Sequence, residues 1–107
     1  MYEPIIEWDE NKNQRNIKKH RVSFELAQYV FFDEYMLIID NGSVNNEQRW
    51  NAIGEVKSAT GYTKILLLVS HTHNDEDGQE YIRIISARKA EPHEVKRYEA
   101  KKTTKRG

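Results

Sequence analysis

Two arginines and a serine interrupt an otherwise apolar run, Tyr81-Ile-Arg-Ile-Ile-Ser-Ala-Arg-Lys-Ala90. A guanidinium stays charged at physiological pH and is costly to bury unpaired, so Arg83 and Arg88 must each reach water, a carboxylate or an anionic ligand. The planar five-donor fork fits carboxylate and phosphate oxygens. His71 adds a ring that exchanges protons near neutral pH, Arg49 a third cation, and Tyr98 a phenol able to donate a hydrogen bond or stack on a base. Cations with a titratable ring, and no cluster of carboxylates among them, suit an anionic ligand that needs proton transfer. An RNA phosphate meets that description. When a 2′-hydroxyl attacks the adjacent phosphorus, cationic donors must hold the charged transition state while an acid or base moves the proton.

A metal reading is weaker. His71 and His73 at i, i+2 point the same way on a strand, but no third ligand stands at a fixed spacing. Asp75-x-Asp77-Gly78 is a fragment of a calcium loop without its remaining oxygen ligands and terminal Glu. Neither a metal nor another cofactor is expected. The competing functional class is a non-catalytic module, in which the same basic face docks RNA or an acidic segment of a partner.

Positioning these groups falls to five expected strands and three helices. Ile5 to Trp8 reads as a short strand; Asp9 then caps a polar helix from Glu10 to His20, whose inner face is Asn13, Asn16, Ile17 and His20. Ser23 caps a second helix from Phe24 to about Phe32, with Phe24, Ala27, Val30 and Phe31 on its apolar side. Tyr35 to Asp40, Arg49 to Lys57, Thr63 to His73 and Glu80 to Ala87 follow as strands of an antiparallel meander. They are broken at Asn41-Gly42-Ser43, at Ser58 to Gly61 and at Asn74 to Gln79. Pro92 opens a final helix through Glu94, Val95, Tyr98 and Glu99. The order points to an α+β domain with helices on one face of the sheet.

Pairing Lys57 with Thr63 and His73 with Tyr81 sets Arg49 opposite His71 and His71 opposite Arg83. The other face then holds Trp50, Ala52, Val56, Leu66, Leu68, Ile82 and Ile84. Simple alternation sends Arg88 to the face opposite Arg83, unless a bulge near Ser86-Ala87 turns it back.

At 107 residues the chain has room for one core, taken to span residues 1–100 as a single domain, with 101–107 a basic, disordered tail. Seventeen basic residues balance 17 acidic ones, so net charge is silent about nucleic acid. Its distribution is not: Lys12 to Arg21 holds five Lys and Arg with no acid, and from Arg83 onward nine face three acids. The absence of cysteine excludes disulfides and thiolate metal sites and fits a reducing compartment. The longest apolar run, Ile65 to Val69, is far too short for a membrane helix, and the first residues lack a signal pattern; a cytoplasmic protein is expected.

Trp8-Asp9-x-x-Lys12, Asn16-x-x-Lys19-His20-x-Val22-Ser23-Phe24, Arg49-Trp50 with Ile53-Gly54, Leu67 to His71, and Ile82-Arg-Ile-Ile-Ser-Ala-Arg-Lys-Ala90 with Tyr98-Glu99 occur in that order. Together they resemble the BrnT family of bacterial type II toxins over residues 5 to 99. The resemblance implies a RelE-like α+β fold, with two N-terminal helices on one face of an antiparallel sheet and a C-terminal helix. It also implies a metal-independent endoribonuclease that arrests translation. A BrnA-like antitoxin with a ribbon-helix-helix DNA-binding region would neutralise it, and the pair would repress its own operon, with operator DNA touched only through the antitoxin. Carried onto this sequence, the catalytic group is His71, Arg83, Arg88, Arg49 and Tyr98, and the RNA-binding rim is Lys12, Lys19, His20 and Lys89. Members often carry a bulky residue and an Arg where this chain has His73-Asn74.

Overall fold

A computed structural model describes residues 3–58 and 60–106; Ala59, in the expected Ser58–Gly61 break, and Gly107, at the end of the expected tail, lie outside them. The elements are β1 (Ile5–Glu7), α1 (Glu10–His20), α2 (Phe24–Ala27), β2 (Leu37–Val44), β3 (Glu47–Lys57), β4 (Lys64–Glu76), β5 (Gln79–Lys89) and α3 (Pro92–Arg106). A 3-10 turn, Gln28–Phe32, prolongs α2 to the end expected for that helix. The five strands form one sheet in the order β1-β5-β4-β3-β2, antiparallel except for β1 beside β5. The fold is mixed α+β.

Local chemistry accounts for the element ends. The Asp9 carboxylate accepts from the Asn11 and Lys12 amides, and the Ser23 hydroxyl accepts from Leu26, so both helices begin where their caps stand. With so few apolar residues, α1 docks through two buried asparagines. Asn13 donates to Glu25 and accepts from the Phe24 amide, while Asn16 donates to the Val22 and Ala87 carbonyls and accepts from the Ala87 amide. Asn16 thereby serves as a strand partner for the part of β5 that runs past β1, covering what would be a free edge. Gly54 lets the 3-10 turn lie against β3: a Cβ there would stand 2.8 Å from a Val30 methyl.

The hairpins differ from the expected ones, and the differences reset the register. Asn41-Gly42 is a bulge inside β2, and the turn falls at Asn45-Asn46, both at positive φ. Asp77-Gly78, at φ 52° and 82°, makes a two-residue turn that clamps Glu76 to Gln79. Between β3 and β4, Lys57 pairs with Lys64 rather than Thr63. The β3–β4 pairing and the His71–Glu76 part of the β4–β5 pairing are therefore each one residue off the expected count, and a one-residue slip exchanges the faces.

One sheet face carries Ala52, Val56, Leu67, Val69, Ile82, Ile84 and Ala87, packed with Val22, Phe24, Ala27, Val30 and Phe31 of the N-terminal helical segments. Leu67 and Val69, not Leu66 and Leu68, join that core. The opposite face holds Ile53 and Leu68 beneath Tyr98 of α3. Residues 101–106, expected to be a disordered tail, continue α3: Lys101 donates to the Met36 carbonyl, and Lys102 lies over the Tyr35 and Tyr98 rings. Among the described residues no helix is long and apolar enough to cross a membrane.

Candidate functional site

Within β5 the ladder to β4 shifts by one residue. Ser70 pairs with Ser86 but His71 with Ile84, leaving Ile85 as the extra residue of a bulge. Arg83 thus pairs with Thr72 and Arg88 with Leu68; positions 72 and 68 share a face, so both arginines do too. Alternation without the bulge would have separated them. One residue past the last β3–β4 pair, Trp50 with His71, Arg49 comes level with Thr72. Arg49, Thr72 and Arg83 therefore share one face of three successive strands, Arg49 lying just past the end of the β3–β4 ladder.

His71 is not in that row. It pairs with Ile84 on the helix-covered face, is 3% exposed, and meets the Phe31 ring edge-on at 4.8 Å. Burial holds its pKa down to about 4, with the nearby charge of His73 lowering it further and the Val69 carbonyl opposing. The expected neighbourhood of His71 with Arg49 and Arg83 is corrected by the one-residue shifts in both hairpins.

Arg88 and Tyr98 belong to the α3 end of the arginine face. The Arg88 fork grips both oxygens of Glu94 at 2.8 and 2.9 Å, and Glu94 is nearly buried. Glu94 also accepts from the Glu91 amide at 2.7 Å, the reciprocal half of a capping box that starts α3 at Pro92. The hydrogen bonds to Glu94 raise the Arg88 pKa, and those from Arg88 lower that of Glu94. Tyr98 is fully buried and donates to Asp33 at 2.6 Å; burial first, then Asp33, pushes its phenol well above the ordinary range. Asp33 in turn accepts from the Tyr35 and Glu55 amides. These residues fasten α3 to the sheet. Glu91, His93 and Glu94 are the only group of three potential metal ligands among the described residues, and Arg88 already sits on the carboxylates.

The other end of the face is open. After Trp50–His71, β3 remains paired only to β2, and β4 only to β5, so the two hairpin tips part around a notch. A polar cleft of about 680 Å³ fills it, lined by Glu47, Gln48, Thr72, Asn74, Tyr81 and Arg83 among others. Arg83 donates to Glu47 at 2.6 Å, and both side chains are close to half exposed. Two polar side-chain atoms of β3, Arg49 Nε and Asn51 Oδ1, are buried without a hydrogen-bond partner among the described residues.

Glu47, Asn51, Ser70 and Thr72 escaped the sequence reading. Their signal was available: Glu47, Arg49 and Asn51 alternate along one strand, and Ser70 and Thr72 are small polar residues at the end of an apolar one. Lys12 and Lys19 are exposed and His20 half-buried on α1, and exposed Lys89 pairs with Leu67 of the apolar core. All four therefore lie away from the arginine row, on the side of the helical layer.

A family model described as ribonuclease toxin, BrnT, of type II toxin-antitoxin systems matches residues 8–94. No curated protein matches the chain.

Proposed function

Since the chain belongs to the BrnT family of ribonuclease toxins of type II toxin-antitoxin systems, we propose that it is a metal-independent endoribonuclease whose active site is the notch at Arg49, Thr72 and Arg83. The observation that carries this reading is the open polar cleft, where Arg83, in a half-exposed pair with Glu47, stands beside Thr72 on the sheet face that Arg49 shares. Arg83 and Arg49 hold the scissile phosphate and its developing charge. Glu47, already bonded to Arg83 at 2.6 Å, takes the proton of the attacking 2′-hydroxyl. The 2′-oxygen bonds to phosphorus, the bond to the 5′-oxygen breaks, and that oxygen takes a proton from the phenol of Tyr81, which lines the same cleft. Thr72 donates to a non-bridging oxygen. His71, Arg88 and Tyr98 support this site from outside it.

Family membership supports the remaining parts of the proposal. The protein is a RelE-like domain acting in the cytoplasm, and RNA cleavage arrests translation. A BrnA-like antitoxin with a ribbon-helix-helix region neutralises it and joins it in repressing their operon.

Purified protein incubated with RNA in excess EDTA tests the chemistry. We expect cleavage to continue under chelation, leaving a 2′,3′-cyclic phosphate, and to be lost in Arg83→Ala and Glu47→Gln. Cleavage abolished by EDTA refutes metal independence. Undiminished cleavage by Arg83→Ala refutes the site, and no cleavage by the wild type favours the non-catalytic alternative.

A further inference from the structure

On the helix-covered face, directly behind the notch, a second cavity of about 280 Å³ is walled by Phe31, Ile38 and Trp50 and edged by His71, His73 and Glu80. His73 lines this cavity and the polar cleft alike. Both spaces border the stretch of β4 beyond the end of the β3–β4 ladder, so a strand of RNA crossing there would displace no β3–β4 pair. We propose that this cavity is the base-specificity pocket of the ribonuclease: it receives an unstacked nucleobase next to the phosphate held at Arg83, and favours one bearing an exocyclic amino group. The proposal rests on the reading of the notch as the cleavage site.

Its chemistry matches a base better than an apolar peptide side chain. Bases of single-stranded RNA are recognised by stacking on aromatic faces and by hydrogen bonds along their edges. Trp50 and Phe31 provide the aromatic surfaces, and Ile38, which is 40% exposed, stands at the mouth. The polar edge is rich in acceptors. The His71 ring, neutral because it is buried, faces the Val69 carbonyl with Nδ1 at 3.3 Å, which makes Nδ1 the protonated nitrogen and leaves Nε2 as an acceptor. Glu80 engages His73 Nε2 through one carboxylate oxygen at 2.9 Å and keeps the other. Acceptors on His71 and Glu80 along one edge select the amino groups of adenine or cytosine over the carbonyl that uracil presents at the same position.

The two tryptophans make the test internal. Trp50 lines the pocket, whereas Trp8 packs edge-on against Phe24 in the helical layer. Nuclear magnetic resonance would follow both indole N–H signals while 2′-O-methyl dinucleotides, which cannot be cleaved by this route, are added to the whole protein. We expect the Trp50 signal to move and that of Trp8 to stay, with an adenine or cytosine dinucleotide binding roughly tenfold tighter than its uracil counterpart. An abasic sugar-phosphate should move signals of Arg83 and leave Trp50 still. Ile38→Glu, at the exposed mouth, should abolish the Trp50 response, and Glu80→Gln should cut the preference for amino-bearing bases to about twofold. A Trp50 signal that stays fixed while the Arg83 signals shift overturns the pocket and spares the cleavage site. A Trp50 shift that survives Arg83→Ala, in a wild type that cleaves nothing, supports the pocket and overturns the cleavage site. Tighter binding of uracil overturns the acceptor-edge assignment.

Discussion

At one end of the exposed sheet face, Arg88 closes both prongs of its fork on Glu94, whose side chain is 9% exposed; at the other, Arg83 makes a contact to Glu47 in which both partners are above 40% exposed. The two arginines lie five residues apart on one strand and differ little in local sequence. What separates them is α3. It covers Ile53 and Leu68, brings Glu94 and Tyr98 down onto the sheet, and buries the carboxylate gripped by Arg88, whose own side chain is 32% exposed. Among the described residues no helix covers Arg83, where the sheet has split into two hairpin tips. A bidentate ion pair to a nearly buried carboxylate is expensive to break because it leaves that charge stranded, whereas a pair half-exposed on both sides contributes little to stability and is easily exchanged for a ligand. The same residue type is a fastening at one end and an available anion site at the other.

That contrast is most easily broken at Arg83. Loss of one preorganised donor to a transition-state anion typically costs about 10²–10³ in rate. Arg83→Ala should lower RNA cleavage by that factor while its urea midpoint stays near that of the wild type. A large loss of stability would make Arg83 structural like Arg88. The reverse is expected of Arg88→Ala: about 3 kcal/mol of stability lost in urea melts, because Glu94 is left without its partner. Adding Glu94→Gln to that variant should recover part of the loss. Cleavage per folded molecule should change far less than in Arg83→Ala; an equal loss would return Arg88 to the active site.

Acid sharpens the comparison between the two faces. The folded pKa of His71, about 4, lies below its ordinary 6.5, so between those values the unfolded chain takes up a proton that the folded one refuses. Stability held above pH 6.5 should therefore fall as pH drops toward 4, by up to about 1.4 kcal/mol per pH unit. The difference between wild-type and His71→Gln melting curves should show that slope; parallel curves would mean that the ring is hydrated in the fold. Glu94 acts in the same direction at lower pH, its contribution being present above the ordinary carboxylate value of 4.5 and lost through its lowered folded pKa. The smallest effect expected is that of Tyr98→Phe, about 1–2 kcal/mol, because Asp33 keeps two amide donors after losing the phenol. A loss of cleavage with stability intact would instead give Tyr98 a direct part in the reaction.

Much of this fold was legible beforehand because its signals are local. Asp9, Ser23 and Pro92 mark helix starts through bonds or φ restrictions within a turn of themselves. The apolar strands declared themselves by composition. The proposed site was legible in part: Arg83 stood out as a charge that an apolar strand must explain, and Arg49 as its possible companion, but the assignment of His71 to their face depended on a count across two hairpins.

Those counts turn on single residues. Whether Asp77-Gly78 closes a two-residue turn, whether Lys57 meets Lys64 or Thr63, and whether Ile85 is squeezed out of the ladder each reverse a face, since side chains alternate with period two. Sequence by itself determined the caps, the strands, the family and the presence of cations needing an anionic partner. Only the tertiary structure decided which faces those cations share, which of them α3 pairs with a buried carboxylate, and where the sheet opens. Register and burial are properties of strands and helices brought together from distant parts of the chain, and no local stretch of sequence contains them.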